Sequence, residues 1–344
     1  MNYKKANIDW NLLGFDVVKT RSMYVATCSK ESEWSEGSLI PYGNIEISPA
    51  AVVLNYGQGV FEGTKAFHTS LDNIILFRPD RNANRMSWST KRLCIPPIKT
   101  DFFMNAVVQT VKDNLDFVPP HGKGSLYIRP IVWGTSPALG VAPALEYTFM
   151  VFVSPVGPYF RGETKMLNLK IEKDYHRAAL KGIGNAKAIG NYSASLLPMT
   201  KAKEEGYDEV VYLDSVNENQ IEEIGSANLF IYKDGVLKTP MLSGSILDGV
   251  TRNSVIKIAS EIIGLKVEET NISLEDIFKA EEVFCTGTAV VVTPVGKITL
   301  NEEVCEYNGG KIGPITKRCR NILTGIQKQE IDDPFGWIYP ITDL

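Results

Sequence analysis

The chain has 344 residues, too many for one small core and enough for one large or two medium domains. Hydrophobic residues make up 44% and charged residues 22%, and 36 Lys plus Arg against 40 Asp plus Glu leave a net charge of −4, which excludes the basic footprint of a nucleic-acid binder. No apolar run approaches the roughly 20 residues of a membrane-spanning helix, and five scattered cysteines without a C-x-x-C pair, beside three distant histidines, argue against a zinc cluster.

Residues 1–10 have neither the apolar stretch of a signal peptide nor the Arg/Ser-rich character of a transit peptide, so the expectation is a cytoplasmic protein with reduced thiols. Phe103, Val107, Val111 and Leu115 recur at helical spacing and predict an amphipathic helix over 100–117. Strand-like runs follow at 125–133 and 146–153, then a stretch rich in turn formers at 155–162 that reads as an interdomain linker. Beyond it, 166–172 predicts a strand, and a Gly-rich loop at 182–191 leads into a helix starting near Tyr192. Residues 209–214 predict another strand, and 228–239 a hairpin turning at Lys233-Asp-Gly235. A helix over 251–263 stops at Gly264, 283–295 is β-branched and strand-like, and 311–327 predicts a final helix. The sum is an α+β protein in two parts: residues 1–155, a connecting loop at 156–165, and 166–344.

Chemistry enters with the loop Gly182-Ile-Gly-Asn-Ala-Lys187-Ala-Ile-Gly-Asn-Tyr192. Alone it reads as a flexible surface loop with a solvated lysine. It is not a dinucleotide fingerprint, because Lys187 stands where G-x-G-x-x-G requires its last glycine, and it is not a Walker A loop. Glu222 and Glu223 precede an apolar strand, so one carboxylate at a buried strand end needs a cationic partner, and a pyridinium nitrogen is such a partner. At Gly249-Val250-Thr251 a helix opens, and its free backbone N–H groups suit a phosphate; by itself the feature reads as an ordinary cap by Thr251. The segment Phe284-Cys-Thr-Gly-Thr288-Ala-Val-Val-Val-Thr-Pro-Val295 is a strand interrupted by a hydroxyl- and Gly-rich turn. Arg78, Arg81 and Arg85 read as exposed helix-face charges. Arg129, inside a strand-like run, reads either as a carboxylate-binding residue or as half of an internal salt bridge.

Taken in order, Asn55-Tyr-Gly-Gln-Gly-Val-Phe-Glu-Gly63, Tyr127-Ile-Arg-Pro130, Lys187-Ala-Ile-Gly-Asn-Tyr192, Glu223-Ile-Gly-Ser-Ala-Asn228 and Thr286-Gly-Thr-Ala289 resemble the branched-chain aminotransferases, class IV aminotransferases of fold type IV. The resemblance covers about residues 10–337 and looks most like the plant and related bacterial branch. It implies a small α/β N-terminal domain and a larger pseudo-barrel C-terminal domain that bind pyridoxal 5′-phosphate. It further implies transamination between leucine, isoleucine or valine and 2-oxoglutarate in a homodimer with shared active sites.

The resemblance also assigns roles. Lys187 matches the lysine that carries the cofactor, Tyr192 the tyrosine on its phenolate oxygen, and Glu223 the carboxylate on its ring nitrogen. Arg85, Leu247, Val250, Thr251 and Thr288 match the remaining cofactor contacts, mostly around the phosphate. Thr288 and Ala289 match the site of the substrate α-carboxylate, Ser226 a further substrate contact, and Tyr127 and Arg129 the pair that accommodates glutamate's distal carboxylate. Phe15, Tyr56, Phe61 and Tyr159 match the pocket for the aliphatic side chain, with Leu139 and Val141 on a loop offered to the neighbouring subunit. Some mammalian members carry a Cys-x-x-Cys pair where this chain has Val290 and Thr293, so no thiol switch is expected there. D-amino acid aminotransferases and aminodeoxychorismate lyases share the lysine and glutamate but generally lack the Gly-Asn-Tyr and Tyr-x-Arg-Pro segments. A non-catalytic phosphate-binding protein with Gly-rich loops is the alternative from another class.

Overall fold

A computed structural model describes residues 4–157 and 165–341. The chain separates into two compact units: Met1–Tyr159 with Ala186–Gly190 and Gly325–Leu344, and Phe160–Asn185 with Asn191–Thr324. The first unit therefore takes in the Lys187 segment and the end of the chain, both distant in sequence from the rest of it. Tyr159 and most of the predicted connecting loop lie outside the described residues.

The first unit is built on an antiparallel sheet. Its strands are β1 (Ser22–Ser29), β2 (Ser38–Pro41), β3 (Gly59–Phe61), β4 (Thr64–His68), β5 (Ile74–Phe77), β6 (Ser125–Gly134) and β7 (Glu146–Val156). They run in the order β5-β4-β6-β7-β1-β2, with β3 beside β6 and the C-terminal strand Ile338–Pro340 beside β5. Along β6 the two-residue period sends Leu126, Ile128 and Val132 into the core, while Tyr127 and Arg129 share the opposite face. The core also receives helices α1 (Val52–Tyr56), α2 (Pro79–Arg92) and α3 (Thr100–Asp113) through Val52, Ala83, Met86, Phe103, Val107 and Val111. The predicted 100–117 helix is thus present, but it breaks at Asn114 before a short 3-10 turn over Leu115–Phe117. The Asn114 side chain accepts from the backbone N–H groups of Arg21 and Ser22 and donates to the carbonyls of Ser22 and Thr110, which anchors the break to β1.

The second unit carries a mixed sheet of nine strands: β8 (Leu167–Glu172), β9 (Glu209–Leu213), β10 (Ile221–Ile224), β11 (Asn228–Lys233), β12 (Val236–Pro240), β13 (Lys266–Thr270), β14 (Glu282–Gly287), β15 (Val291–Leu300) and β16 (Glu303–Glu306). The order is β10-β9-β8-β15-β14-β11-β12-β13, with β16 on β15, and the β9–β8, β8–β15 and β12–β13 pairs are parallel. The predicted hairpin is β11–β12, turning on Asp234 (φ 51°) and Gly235 (φ 79°), the two left-handed positions a two-residue hairpin turn requires. The 283–295 run is interrupted where the hydroxyl- and Gly-rich turn was expected: β14 and β15 pair antiparallel with Gly287 opposite Val291, and Thr288-Ala289-Val290 form the turn. The helices of this part are α4 (Gly190–Ser193), α5 (Leu196–Glu204), α6 (Val250–Lys257), α7 (Leu274–Phe278) and α8 (Pro314–Gln327). From α6 the chain continues as a π-helical turn, Ile258–Ile263, that stops at left-handed Gly264 (φ 78°). The α+β expectation holds. Among the described residues no helix is long and apolar enough to cross a membrane.

Candidate active site

In the first unit the solvated-loop reading of Lys187 fails. Its segment runs along β3: Phe61 N–H donates to the Lys187 carbonyl (3.1 Å), Ile189 N–H donates to the Gly59 carbonyl (3.1 Å), and Val60 bridges Ala188. Lys187 N–H donates to Ser89 Oγ on α2 (3.0 Å), and the flanking Ala186 and Ala188 are buried. A Cβ on Gly59 would stand 2.9 Å from Ile189 Cδ1, so glycine there lets the two backbones meet. The result is a half-buried lysine on fixed backbone, its Nζ 4.8 Å from the centre of the Phe61 ring.

Phe61 joins Lys187 to the residues on the exposed-side face of β6. The Arg129 guanidinium lies 4.7 Å from the Phe61 ring centre and 5.3 Å from that of Tyr127, and its Nη2 donates to Tyr127 Oη (3.2 Å). Phe15 packs edge-on to Tyr127 with centroids 5.3 Å apart. Arg129 Nε is buried and has no hydrogen-bond partner among the described residues, a donor left over for an anion. Gly63 must lack a side chain, since a Cβ would collide with Tyr127 Oη. Tyr56 donates its hydroxyl to the Leu139 carbonyl, and Leu139 and Val141 are 91% and 87% exposed.

Arg85 is not the exposed helix charge expected of it. Glu62, fully buried, accepts from Arg85 Nε (2.7 Å) and Nη2 (2.8 Å) and from Asn82 Nδ2 (2.8 Å). Burial pushes the Glu62 carboxyl up, but the charge and hydrogen bonds of Arg85, the charge of Lys187 and the Asn82 amide outweigh it and leave the group below the usual glutamate value. Arg78 is buried as well, its guanidinium 4.6 Å from the Trp337 ring centre. Glu62 escaped sequence reasoning although it sits in the Phe-Glu-Gly segment, because nothing local names a partner 23 residues away.

In the second unit both Glu222 and Glu223 are buried, not one of them. Glu223 Oε1 accepts from the Leu247 backbone N–H (2.5 Å), and Asn228 Nδ2 donates to the Leu247 carbonyl (2.9 Å). Arg177, which sequence reasoning did not single out, lies against both glutamates. Gly184 is needed where the glycine-rich loop passes Ser245, whose carbonyl would collide with a Cβ, and Asn191 Nδ2 pins that loop to the Ile183 carbonyl (2.8 Å). Tyr192 stands on α4, within the electrostatic reach of Arg177.

The ordinary-cap reading of Thr251 also fails. The cap of α6 is Gly249 with no side-chain hydrogen bond, and Thr251 is the second helical residue, buried beside Val250. Among the described residues the first-turn N–H groups therefore have no acceptor from a cap side chain, the arrangement that favours a phosphate. Thr288 and Ala289 form the half-buried β14–β15 turn. A Cβ on Gly287 would lie 3.7 Å from the carbonyl of Ser226, itself exposed, and the buried Thr286 hydroxyl has no hydrogen-bond partner among the described residues. In the first unit a half-buried amine suits the imine-forming carbonyl of pyridoxal phosphate; in the second, a buried carboxylate at a strand end and a helix start without a side-chain cap suit its ring nitrogen and phosphate. Among the described residues no cluster of His, Cys, Asp or Glu is able to hold a metal ion.

Residues 59–298 match the family model for class IV amino-transferases. The chain is 47% identical over 332 residues to branched-chain-amino-acid aminotransferase 5, chloroplastic, of Arabidopsis thaliana, covering 96% of this chain and 80% of that one. It is 40% identical to branched-chain-amino-acid aminotransferase 2 of Bacillus subtilis (strain 168), covering 99% and 95%. Among solved structures, the Escherichia coli branched-chain amino acid aminotransferase superposes with a TM-score of 0.81 at 29% identity, covering 94% and 100%. The T.th. branched-chain amino acid aminotransferase complexed with N-(5′-phosphopyridoxyl)-L-glutamate gives 0.78 at 28% identity, covering 94% and 99%.

The chain belongs to the branched-chain-amino-acid aminotransferase family, and its fold is the two-domain fold type IV expected from the motifs. The cytoplasmic expectation is overturned. Several relatives matched over nearly the whole chain are named chloroplastic, as in Arabidopsis thaliana and Humulus lupulus, or mitochondrial, as in Humulus lupulus. The composition of residues 1–10 was therefore no guide to location.

Proposed function

We propose that the chain transfers the α-amino group of L-leucine, L-isoleucine or L-valine to 2-oxoglutarate, giving the branched-chain 2-oxo acid and L-glutamate. Pyridoxal 5′-phosphate supplies an electron-accepting ring and a carbonyl that holds the amino group between the two half-reactions. Lys187 Nζ would carry the cofactor and, as a free amine, would take up and give back the proton of the substrate Cα. Glu223 faces the ring nitrogen, and Tyr192 the phenolate oxygen. Arg85, Leu247, Val250, Thr251 and Thr288 serve the cofactor, mainly its phosphate. Thr288 and Ala289 receive the α-carboxylate, and Ser226 is a further substrate contact.

The pocket has to accept both an aliphatic side chain and a carboxylate. Phe15, Phe61 and Tyr127 supply apolar surface, Tyr56 extends it, and Arg129 pairs with glutamate's distal carboxylate. When leucine is bound, Arg129 stays covered by Tyr127 Oη and the Phe61 face. The observation that carries this reading is the grouping of Lys187, Phe61, Tyr127 and Arg129, with Arg129 Nε left without a partner. We read Leu139 and Val141 as reaching the active site of a second copy in a homodimer, in keeping with their exposure.

The test is an amino-donor panel with 2-oxoglutarate as acceptor. Leucine, isoleucine and valine are expected to be used and D-alanine not. Turnover of D-alanine in preference to all three overturns the assignment. Sedimentation of the holoenzyme checks the dimer, which a monomer with full activity would exclude.

A further inference from the structure

Glu222 and Glu223 are consecutive on β10, and consecutive residues of a regular strand point to opposite faces. Here the pairing runs from Ile221 opposite Leu213 to Ile224 opposite Val211, so β10 spends one residue more than β9 over the same stretch. Such a bulge re-aims side chains, and both carboxylates reach one guanidinium. Arg177 Nε is 3.4 Å from Glu222 Oε2, and its Nη2 is 3.5 Å from Glu223 Oε1. The three residues are 8%, 1% and 3% exposed.

Two buried carboxylates therefore share one cation. Glu222 has long contacts only, with neither oxygen in hydrogen-bond geometry among the described residues, and Arg177 spends its Nη2 on the carbonyls of Ser245 and Gly184. The other polar and titratable groups around the cluster are Tyr192, Tyr212, Asp214 and Ser245. Burial pushes the Glu222 carboxyl up, Asp214 adds to the rise, and Arg177 and Ser245 oppose it. With Arg177 answering Glu222, a pyridinium can answer Glu223.

We propose that Arg177 is a positioning residue for the ring-nitrogen carboxylate: by neutralising Glu222 it leaves Glu223 ionised and directed at the cofactor's pyridinium. The inference rests on the role of Glu223 proposed above. Without the guanidinium, two carboxylates this close would hold one proton between them, and Glu223 would lose the charge that keeps the ring nitrogen protonated.

The test titrates cofactor-free R177M, E222Q, R177M/E222Q and E223Q with pyridoxal 5′-phosphate, reading affinity by fluorescence quenching and the bound cofactor by absorbance across pH. Removing one member of a buried charge cluster is expected to weaken cofactor binding on the order of 100-fold in R177M. In R177M/E222Q, where the carboxylate needing Arg177 is gone, affinity is expected to recover by roughly tenfold or more, with the absorbance titration moving back toward the parent's. An Arg177 that serves only to hold the fold would leave the pH dependence of the bound cofactor's absorbance in R177M like the parent's. R177M/E222Q binding no tighter than R177M overturns the proposal, and R177Q carries the same comparison should R177M not fold by circular dichroism. E223Q binding cofactor like the parent, with an unchanged spectrum, overturns instead the role of Glu223.

Discussion

Glu62→Gln and Glu62→Ala separate the charge of Glu62 from its shape. In the native chain the carboxylate holds Arg85 by two hydrogen bonds of 2.7 and 2.8 Å, while the Arg85 side chain is only 12% exposed. Glu62→Ala takes from that little-exposed cation its carboxylate and both of these hydrogen bonds, a loss of about 3–5 kcal/mol. Glu62→Gln keeps one acceptor oxygen and is expected to cost about 1–3 kcal/mol. Against a total stability of roughly 5–15 kcal/mol, the first change alone is large enough to shift the unfolding midpoint plainly.

The pH dependence follows from the sign of the Glu62 shift. Its folded pKa lies below the usual 4.5. The stabilisation from the ionised group is therefore complete above about 4.5 and is lost as pH falls through the folded value. Urea midpoints of the cofactor-free chain, followed by circular dichroism between about pH 3 and 7, measure both effects. Glu62→Gln should lose stability less steeply on acidification than the parent. A cost below about 1 kcal/mol for Glu62→Ala, or superimposable acid profiles for Glu62→Gln and parent, would refute the reasoning.

Three further outcomes are expected. Lys187→Ala abolishes turnover and the borohydride-trapped covalent attachment of cofactor, read by intact mass, while leaving some cofactor held through its phosphate. Arg129→Met lowers kcat/KM for glutamate and 2-oxoglutarate by about tenfold or more while leucine falls far less, because only the dicarboxylate needs that cation; equal losses would sink the assignment. Lys65 is buried on β4 opposite Tyr127, and desolvation pulls it from 10.5 down to about 8. Between these values the unfolded chain binds the extra proton, so stability rises with pH across that window. Lys65→Met should flatten that rise, measured by urea unfolding across the same pH window.

The elements read most directly from the chain were those in which a single local signal suffices. The alternation over 125–133 became β6, helical spacing brought Phe103, Val107 and Val111 onto the buried face of α3, and Asp234-Gly235 turned the β11–β12 hairpin. In the 283–295 run the hydroxyl- and Gly-rich turn was legible, but that its two flanking strands pair with each other was decided only by the fold, which sets Gly287 opposite Val291.

Family and chemistry were legible for a related reason: the ordered motifs from Asn55 to Ala289 name residue types at set positions along the chain. What tertiary structure alone decided is who balances each buried charge. Glu62 reaches Arg85 across 23 positions, Arg177 reaches Glu222 and Glu223 across more than 40, and a bulge in β10 overrides the alternation that would have parted the two glutamates. A charge removed from water must find its opposite wherever the fold brings one, and sequence spacing does not record that distance.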